Sequence, residues 1–409
     1  MYSFGLQLFS ICVGIASLFD NKVKKMWRGE KETFRILKEK VDPSARYVWV
    51  HAASLGEFEQ GRPIMELIRK YHPELKILLT FFSPSGYEVR KNYEGADIVC
   101  YLPIDTRRNA RRFLQLIHIE TAFFIKYEFW YNYLHLLKQQ NIPVFSVSSI
   151  FRENQIFFRW YGKPYSKVLN CITHFYVQNE KSRQLLASLG LNNVTVTGDT
   201  RFDRVLDIKH AAKHLPLVET FISSNPTKVF VAGSSWQPDE EIFIRYFNEH
   251  KDWKLVIAPH VIQEEHLKQI EKLLEGRKVV RYTEAEKATN LADAEVLIIN
   301  CFGLLSSIYH YGQVTYVGGG FGVGIHNVLE AAVWKVPVVI GPNNKKFQEA
   351  QELMKAGGCF EINCYEDFEQ LMNRFESEPD YLQEAGRKAG EYVRGKAGAT
   401  SSVLSSVNL

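Results

Sequence analysis

From Tyr47 onward, short runs of β-branched and aromatic residues alternate with longer helical stretches, and this alternation occurs twice along the chain. The pattern is typical of βαβ units, in which helices bury both faces of a parallel sheet. The first series predicts strands at 47–52, 76–82, 98–103, 121–126, 143–149, 174–178 and 194–198. The second series predicts strands at 228–233, 253–259, 278–282, 296–300, 314–320 and 336–342.

The chain of 409 residues is too long for one hydrophobic core and fits two medium domains. A break in the pattern at 206–227 separates the two series. We therefore predict an α/β fold with two tandem Rossmann-like domains, residues 21–210 and 211–380, and a closing helical region at 381–409. Ligands of such sheets bind beyond the carboxyl ends of the strands, so we expect the site in a cleft between the domains.

Composition excludes several classes of protein. Hydrophobic residues make up 46% of the chain and charged residues 23%, which argues against a disordered chain and a polytopic membrane protein. A formal net charge of +4 does not indicate a nucleic-acid binder. The six cysteines form no CxxC pair, so we interpret them as small buried residues of a protein in the reducing cytosol.

The N-terminal segment is apolar and uncharged from residue 2 to residue 19, which is close to the length of a membrane helix. A cluster of cations follows it, namely Lys22, Lys24, Lys25, Arg28, Lys31 and Arg35. The positive-inside rule then predicts a membrane anchor at 1–20 with the catalytic body at the cytoplasmic face, next to an anionic lipid surface. The alternatives are a helix that lies in the membrane interface and a buried first helix followed by a solvated face.

The turn after the first predicted strand carries a candidate catalytic residue. HAASLGEFEQG (51–61) places small residues, including Ser54 and Gly56, where a helix begins, and Glu57 follows in its first turn. A carboxylate at this edge of the sheet suits a general base. The alternative is purely structural, because Ser54 and Glu57 also have the spacing of a capping box.

Two further segments of the first domain carry polar groups at strand ends. SPSG (83–86) offers the hydroxyls of Ser83 and Ser85 to a polar ligand, or simply caps the next helix. KYEFWYN (126–132) follows the fourth predicted strand and places Glu128 at the same edge of the sheet as Glu57. Between them Arg107, Arg108, Arg111 and Arg112 have helical spacing, which fits a solvated face or an acceptor that carries phosphate.

The second domain offers two candidate loops. GSSW (233–236) follows one predicted strand, and GGGFGVGIHNVLEAA (318–332) follows another, with a helix predicted to begin near His326 and Asn327. Free N–H groups there would bind a phosphate, and Glu330 would accept from ribose hydroxyls, although capping also explains Asn327 and Glu330. The glycine run lacks the dinucleotide-binding spacing, no DxD occurs, and the histidines are isolated, so we predict no NAD site and no metal site.

The ordered set of these motifs resembles that of 3-deoxy-D-manno-oct-2-ulosonic acid (Kdo) transferases. The motifs are HAASLGE (51–57), SPSG (83–86), EFWYN (128–132), VQNEKSRQLLASLG (177–190), TGDTRFD (197–203), AGSSW (232–236) and GGFGVGIHNVLEAAVWKVPVVIGP (319–342). The resemblance implies a two-domain GT-B glycosyltransferase on the cytoplasmic face of the bacterial inner membrane. It implies transfer of Kdo from CMP-Kdo to a lipid A precursor, with inversion, no metal and no other cofactor.

The resemblance also implies roles for single residues. Glu57 corresponds to the general base of the family and Glu128 to its second essential carboxylate. The substrate-binding residues that it implies, together with those taken from the loops above, are Ser54, Gly56, Ser83, Ser85, Arg152, Gly233, Ser234, Ser235, His260, Phe302, Gly303, Gly324, His326, Asn327 and Glu330. Of these, Phe302, Gly303, Gly324, Asn327 and Glu330 correspond to the family's nucleotide contacts.

The sequence departs from the family pattern at several motif positions. Lys126 and Tyr131 replace Glu and Pro, Pro259 replaces the Arg before His260, and Leu304 replaces an acidic residue. Such a divergent branch leaves two alternatives open. One is another GT-B nucleotide-sugar transferase or epimerase, and the other is an inactive membrane-anchored binding protein.

Overall fold

The structure is a computed structural model, and it describes residues 5–6, 19–223, 228–288 and 290–409. The described chain forms two compact units. The first holds the described residues up to Arg204 together with Ala397–Leu409, and the second holds the described residues of Val205–Lys396.

The first unit contains a seven-stranded parallel sheet in the order β3-β2-β1-β4-β5-β6-β7. Its strands are β1 (Tyr47–His51), β2 (Lys76–Phe81), β3 (Ile98–Tyr101), β4 (Ile119–Ile125), β5 (Val144–Ser149), β6 (His174–Val177) and β7 (Val194–Val196). The helices up to the division between the units are α1 (Asn21–Lys40), α2 (Leu55–Tyr71), α3 (Pro84–Arg90), α4 (Arg107–Leu116), α5 (Tyr131–Gln139), α6 (Lys163–Ser166), α7 (Glu180–Ala187) and α8 (Arg201–His210), with 3₁₀ turns at Ile156–Phe158, Trp160–Gly162 and Lys167–Cys171.

The second unit contains another seven-stranded parallel sheet, in the order β10-β11-β9-β8-β12-β13-β14. Its strands are β8 (Lys228–Ser235), β9 (Trp253–Pro259), β10 (Val279–Arg281), β11 (Val296–Ile298), β12 (Val314–Val317), β13 (Val338–Ile340) and β14 (Cys359–Glu361). Its helices are α9 (Pro216–Phe221), α10 (Gln237–Glu249), α11 (Glu264–Leu273), α12 (Leu305–Ile308), α13 (Leu329–Ala332), α14 (Gln348–Ala356), α15 (Tyr365–Ser377) and α16 (Pro379–Gly395), with 3₁₀ turns at Tyr282–Lys287, Leu291–Asp293 and Tyr309–Tyr311.

The last helix, α17 (Ala399–Ser405), belongs to the first unit. The carboxylate of Asp203 accepts hydrogen bonds of 2.7 Å from both the backbone N–H and the hydroxyl of Thr400. Val403 is fully buried in the cluster that covers one face of the first sheet. The end of the chain is therefore part of the core of the first unit, whereas residues 381–396 of the predicted closing region lie in the second unit.

Alternation along β1 explains how the first sheet is buried on both faces. Trp49 packs on one face against Phe113, Phe124 and Tyr133, with ring centroids 5.0–5.7 Å apart. Val48 points to the opposite face, where it joins a second apolar cluster. Successive side chains of a strand point to opposite faces, and the β-branched and aromatic composition of β1 therefore supplies two cores.

The predicted α/β class with two parallel-sheet domains is confirmed, and every predicted strand is present. β14 was not predicted, because three residues at a sheet edge give too short a pattern. The predicted strand at 314–320 ends at Val317, since the glycines that follow leave the sheet. The predicted interdomain cleft stays a prediction.

The predicted anchor at 1–20 lies almost entirely outside the described residues. Within the part of the chain that the structure describes, no helix is both long enough and apolar enough to cross a bilayer.

Candidate active site

The first sheet reverses its strand order between the neighbours β1 and β4. Open α/β sheets bind their ligands outside the carboxyl ends of the strands at such a point. The loop after β1 leads to Glu57, and the loop after β4 contains Glu128. The two predicted carboxylates therefore follow adjacent parallel strands, at the edge where a ligand is expected.

Glu57 lies in the first turn of α2 and is only 6% exposed. Its Oε2 atom accepts a hydrogen bond from the backbone N–H of Ser54 at 3.0 Å. The capping interpretation is therefore correct for this contact. A Cβ at Gly56 would meet no atom within 4 Å, so the backbone there is open to close approach.

The surroundings of Glu57 make its carboxylate more basic. Burial is the larger cause that raises its pKa, and the negative charge of Glu128 raises it further. Lys126, His51 and the N–H of Ser54 lower the pKa, but the net shift is upward. A carboxylate whose pKa is raised by burial and a like charge is suited to accept a proton from a substrate.

Glu128 is held by an aromatic donor from its own loop. The indole Nε1–H of Trp130 donates to Glu128 Oε2 at 2.9 Å, and it also lies 3.1 Å from His51 Nε2. His51 Nε2 and Glu128 Oε2 are 3.6 Å apart. The indole N–H is thus shared between the imidazole and the carboxylate, which fixes where Glu128 points.

His51 is completely buried at the end of β1. Its Nδ1 atom is 2.8 Å from Thr80 Oγ1, which also accepts from the indole of Trp49 at 2.8 Å. The other ring nitrogen, Nε2, faces the N–H of Trp130 at 3.1 Å. A continuous chain of hydrogen bonds therefore connects the core residue Trp49 to the loop that carries Glu128.

The backbone of this loop adopts an uncommon conformation. Lys126 directly follows β4 and has a φ angle of +63°, and its N–H donates to Val147 O at 2.8 Å. A positive φ angle is rare for a residue with a Cβ, and such residues concentrate at functional sites. The turn redirects the chain so that Glu128 and Trp130 lie next to the end of β1.

The predicted ligand hydroxyls of Ser83 and Ser85 take part in capping. Ser83 is the N-cap of α3, its Oγ accepts from Ser85 N–H at 3.3 Å, and the two Oγ atoms are 3.0 Å apart. Ser83 N–H donates to Ala53 O at 2.7 Å, so this turn packs directly on the turn after β1. The capping interpretation is confirmed, and a contact with substrate stays a prediction.

Arg152 lies on the loop after β5 and is exposed. Its backbone N–H donates to Gln155 Oε1 at 3.0 Å. Its positive charge acts on Tyr127. Burial and Glu57 raise the pKa of Tyr127, and Arg152 lowers it. Arg152 is therefore a cation near the carboxylate pair, although its predicted contact with substrate is untested.

The second sheet reverses its strand order between β8 and β12. Gly233 and Ser235 belong to the end of β8, and Ser234 between them forms a bulge with a φ angle of +52°. A Cβ at Gly318, just after β12, would overlap the backbone of Ser234 and Ser235. Glycine is therefore required where the two switch-point loops meet.

Asp239 joins these two loops and is 1% exposed. It accepts hydrogen bonds from Trp236 N–H at 2.9 Å, Gly319 N–H at 2.8 Å and the hydroxyl of Tyr316 at 2.7 Å. One carboxylate therefore fixes the turn after β8 against the glycine loop after β12.

The next residue, Glu240, forms a second buried cluster. Its Oε1 accepts from the hydroxyl of Ser235 at 2.8 Å and lies 3.1 Å from His266 Nε2. Burial raises the pKa of Glu240, while His266 and Ser235 lower it. Sequence reasoning missed both carboxylates, because acidic residues in a first helical turn usually indicate an exposed helix start.

Three rings stack at the same edge of the second sheet. The centroids of Trp236 and His260 are 4.6 Å apart, and those of His260 and His326 are 4.5 Å apart. Burial and the neighbouring His260 lower the pKa of His326 to about 4, and burial lowers the pKa of His260. These histidines, which the sequence suggested to be isolated, form a stacked cluster with Trp236.

The helix predicted to begin near His326 and Asn327 is present but begins slightly later. Helix α13 begins at Leu329 and has four residues. The Oδ1 atom of Asn327 accepts from Leu329 N–H at 3.2 Å, and its Nδ2 donates to Glu330 Oε1 at 3.2 Å. Asn327 therefore forms a local turn with its own backbone and pairs with Glu330, and so short a helix offers little dipole to a phosphate.

The other predicted nucleotide contacts lie on loops of the second unit. Phe302, after β11, is 78% exposed, and Gly303 beside it has a φ angle of +85° with open space around its Cα. Gly324 donates its N–H to Gly319 O at 2.9 Å, which closes the glycine loop. An exposed aromatic side chain next to a glycine is compatible with stacking on a base.

Among the described residues, no group of three or more His, Cys, Asp or Glu residues could hold a metal ion. The expectation of a metal-free reaction stays a prediction.

Residues 28–204 match the family model described as 3-deoxy-D-manno-octulosonic-acid transferase (Kdo transferase). A 3-deoxy-D-manno-octulosonic acid transferase of Aquifex aeolicus is 29% identical over 77% of this chain and 82% of the relative. That of Haemophilus influenzae is 24% identical over 82% of this chain and 81% of the relative. A bifunctional glycosyltransferase/methyltransferase of Fusobacterium nucleatum is 26% identical over 83% of this chain, but the match spans only 54% of that relative.

Solved structures share the fold at low sequence identity. A UDP-GlcNAc 2-epimerase from Neisseria meningitidis, bound to UDP-GlcNAc, has a TM-score of 0.60 at 14% identity, covering 88% of this chain and 98% of that chain. MurG from Acinetobacter baumannii has a TM-score of 0.55 at 12% identity, with 88% and 98% covered. These similarities concern the GT-B-like fold alone.

Proposed function

We propose, because this chain belongs to the Kdo transferase family, that it transfers Kdo from CMP-Kdo to a hydroxyl of a lipid A precursor. The reaction inverts the anomeric centre and uses no metal. The observation that carries the proposal is the pair Glu57 and Glu128, which follow adjacent strands at the switch point of the first sheet.

In the proposed mechanism Glu57 removes the proton from the acceptor hydroxyl. A sugar hydroxyl is a poor nucleophile, so a base must take its proton as the oxocarbenium-like centre forms. The raised pKa of Glu57 makes its carboxylate a stronger base than an exposed glutamate. One oxygen is oriented by the N–H of Ser54, which keeps the side chain directed by the start of α2.

Glu128 has a positioning role in this proposal. Its negative charge raises the pKa of Glu57, and its own orientation depends on Trp130 and His51. The hydrogen bonds from Ser54 to Glu57 and from Trp130 to Glu128 hold the two like-charged carboxylates in fixed orientations. The arrangement supports one carboxylate as the base and the other as its electrostatic partner.

We assign the donor nucleotide to the switch-point loops of the second unit. Those loops present Ser234, Trp236 and His326, and the loops after β9 and β11 carry His260, which stacks with Trp236 and His326, and the exposed Phe302. Aromatic and imidazole faces suit a pyrimidine base, and backbone N–H groups suit its phosphate. Asp239 fixes the two loops to one another, so the surface is formed before the nucleotide binds.

We also propose that the protein acts at the cytoplasmic face of the inner membrane. The exposed Lys24, Lys25 and Arg28 on α1 support an anionic lipid surface as partner. Each such cation contributes about 1 kcal/mol of attraction near anionic lipid. Sedimentation with phosphatidylglycerol vesicles, compared with phosphatidylcholine vesicles, tests this part separately.

The test of the reaction is CMP release from CMP-Kdo in the presence and absence of a lipid A precursor. Release that depends on the lipid supports transfer. A folded sample that binds CMP but releases none under either condition would favour the inactive binding protein. Release that is independent of the lipid would identify hydrolysis and contradict the proposed acceptor.

A further inference from the structure

A cavity of about 270 Å³ opens in the first unit between α1 and α4. Side chains of both helices line it, namely Trp27, Glu30, Lys31 and Phe34 from α1 and Asn109 and Arg112 from α4. None of these residues belongs to the loops that carry Glu57 and Glu128. The cavity combines cations with aromatic walls, and that composition indicates a ligand with an anionic group on a less polar body.

Aromatic rings hold the two cations of the cavity in place. Arg112 Cζ lies 4.0 Å from the ring centroid of Phe34, and Lys31 Nζ lies 4.6 Å from that of Trp27. Stacking orients a guanidinium plane while its N–H groups stay available at the edge. Among the described side chains no carboxylate forms an ion pair with Arg112 or Lys31, so neither charge is neutralised by a described residue.

Glu30 is the acidic residue that lines the cavity, and its carboxyl group is buried. Its Oε2 accepts from Ile104 N–H at 3.3 Å, and its Oε1 is buried without a hydrogen-bond partner. Burial raises its pKa from 4.5 to about 8. Glu30 is therefore largely protonated at neutral pH, and the cavity carries a net positive charge.

The cavity lies near the carboxyl ends of the strands of the first sheet, as the carboxylate pair does. Its wall includes Ile104, which follows β3, and β3 ends in parallel with β1 and β4. The next residue, Asp105, accepts hydrogen bonds from Asn132 N–H at 2.9 Å and Tyr133 N–H at 3.0 Å. These bonds connect the cavity wall to the start of α5, directly after Glu128 and Trp130.

We propose that Arg112 and Lys31 bind a phosphate monoester of the lipid acceptor in this cavity. A guanidinium edge matches the geometry of phosphate oxygens, and the rings of Trp27 and Phe34 supply apolar walls for the sugar face. The identity of the acceptor rests on the proposed function, whereas the phosphate chemistry rests on the cavity.

The first experiment measures transfer to the phosphorylated lipid acceptor and to the same acceptor after removal of its phosphates. We expect the ratio of kcat/KM for the two acceptors to fall about tenfold or more in Arg112→Gln, because a charge-assisted hydrogen bond is lost. The matched control is Arg111→Gln, an exposed arginine of the same helix that does not line the cavity. We expect the ratio to change less than about twofold in that variant.

The second experiment measures binding without turnover, by calorimetry with a soluble glucosamine phosphate. We expect Arg112→Gln to weaken this binding and Arg111→Gln to leave it unchanged. A wild type that binds the sugar phosphate but does not transfer Kdo would contradict the proposed function and keep the phosphate site. Equal effects of the two variants, or no effect of Arg112→Gln in either experiment, would overturn the site.

A third experiment distinguishes the lipid acceptor from a membrane phospholipid as the ligand of the cavity. We expect sedimentation with phosphatidylglycerol vesicles to be the same for Arg112→Gln and Arg111→Gln. A selective loss of vesicle binding in Arg112→Gln would show that the cavity holds a phospholipid headgroup, and it would overturn the assignment to the acceptor.

Discussion

The indole N–H of Trp130 lies 2.9 Å from Glu128 Oε2 and 3.1 Å from His51 Nε2. One donor from the loop after β4 therefore connects the second carboxylate of the candidate site to a fully buried histidine at the end of β1. The two strands are neighbours in the sheet, so this contact keeps both loops in register. Several properties of the enzyme should depend on it.

Trp130→Phe removes this N–H and keeps an aromatic ring in the same place. We expect kcat to fall about tenfold, because a hydrogen bond to a charged group is typically worth 1.5–3 kcal/mol. CMP affinity, measured by calorimetry, should be unchanged. Unchanged kcat in Trp130→Phe would contradict the positioning role of the indole.

Glu57→Gln tests the base while it preserves the helix cap. The amide oxygen can still accept from Ser54 N–H, so the variant should melt within a few degrees of the wild type. It cannot take a proton, and transfer should fall about a hundredfold or more. Glu57→Ala is the companion variant, and it should also lose about 1 kcal/mol of stability with the cap. Near-normal turnover in Glu57→Gln would remove Glu57 from the base role.

The pH dependence of kcat/KM should report the raised pKa of Glu57. The base acts when ionised, so activity should rise with pH through a pKa above the ordinary 4.5. Glu128→Gln removes a charge that raises this pKa, so the acid limb should move to lower pH. Lys126→Asn removes a charge that lowers it, and Asn tolerates the positive φ angle there, so the limb should move to higher pH. Shifts in the same direction in both variants would contradict this assignment.

The fold was largely predictable from the sequence because local patterns determine its strands. The run YVWVH of β1 alternates between two apolar clusters, and no long-range information is needed to recognise it. β14 was missed because CFE is short and gains its burial from a neighbouring strand. The start of α13 was placed slightly too early, because Asn327 has the sequence spacing of a cap but lies before the helix, where it pairs with Glu330 of the first turn.

The two carboxylates of the site were predictable from the sequence, but the hydrogen bonds that orient them were not. Glu57 and Glu128 follow recognisable strands, and their adjacency follows from the sheet order. His51 and Trp130 are 79 residues apart, and their contact depends on the turn at Lys126. Asp239 resembles an exposed residue of a first helical turn until the glycine loop is placed over it.

Asp239→Ala should lower the free energy of unfolding more than the loss of one small side chain suggests. The substitution leaves two N–H groups and the hydroxyl of Tyr316 buried without their acceptor, which should cost about 3 kcal/mol or more. Asp239→Asn retains an acceptor oxygen and should recover part of the loss. Urea unfolding and CMP calorimetry on both variants check this, and wild-type CMP affinity in a folded Asp239→Ala sample would contradict the role of Asp239 in forming the nucleotide surface.

The stability of the first unit should depend on the protonation of Glu30. Burial raises the pKa of Glu30 from 4.5 to about 8, so the folded state keeps a proton that the unfolded chain releases. Between these two pH values the folded chain binds more protons, and the unfolding free energy should fall as pH rises, by at most about 1.4 kcal/mol per pH unit. Below pH 4.5 and above about pH 8 this contribution should be constant.

Glu30→Gln mimics the protonated side chain and should flatten this slope in urea unfolding measured from pH 5 to pH 9. Because Asp97 and Glu120 are partly exposed carboxylates paired with arginines of the same unit, Asp97→Asn serves as a control that should keep the slope. An identical slope in wild type and Glu30→Gln would show that Glu30 ionises at its ordinary pKa in the folded protein.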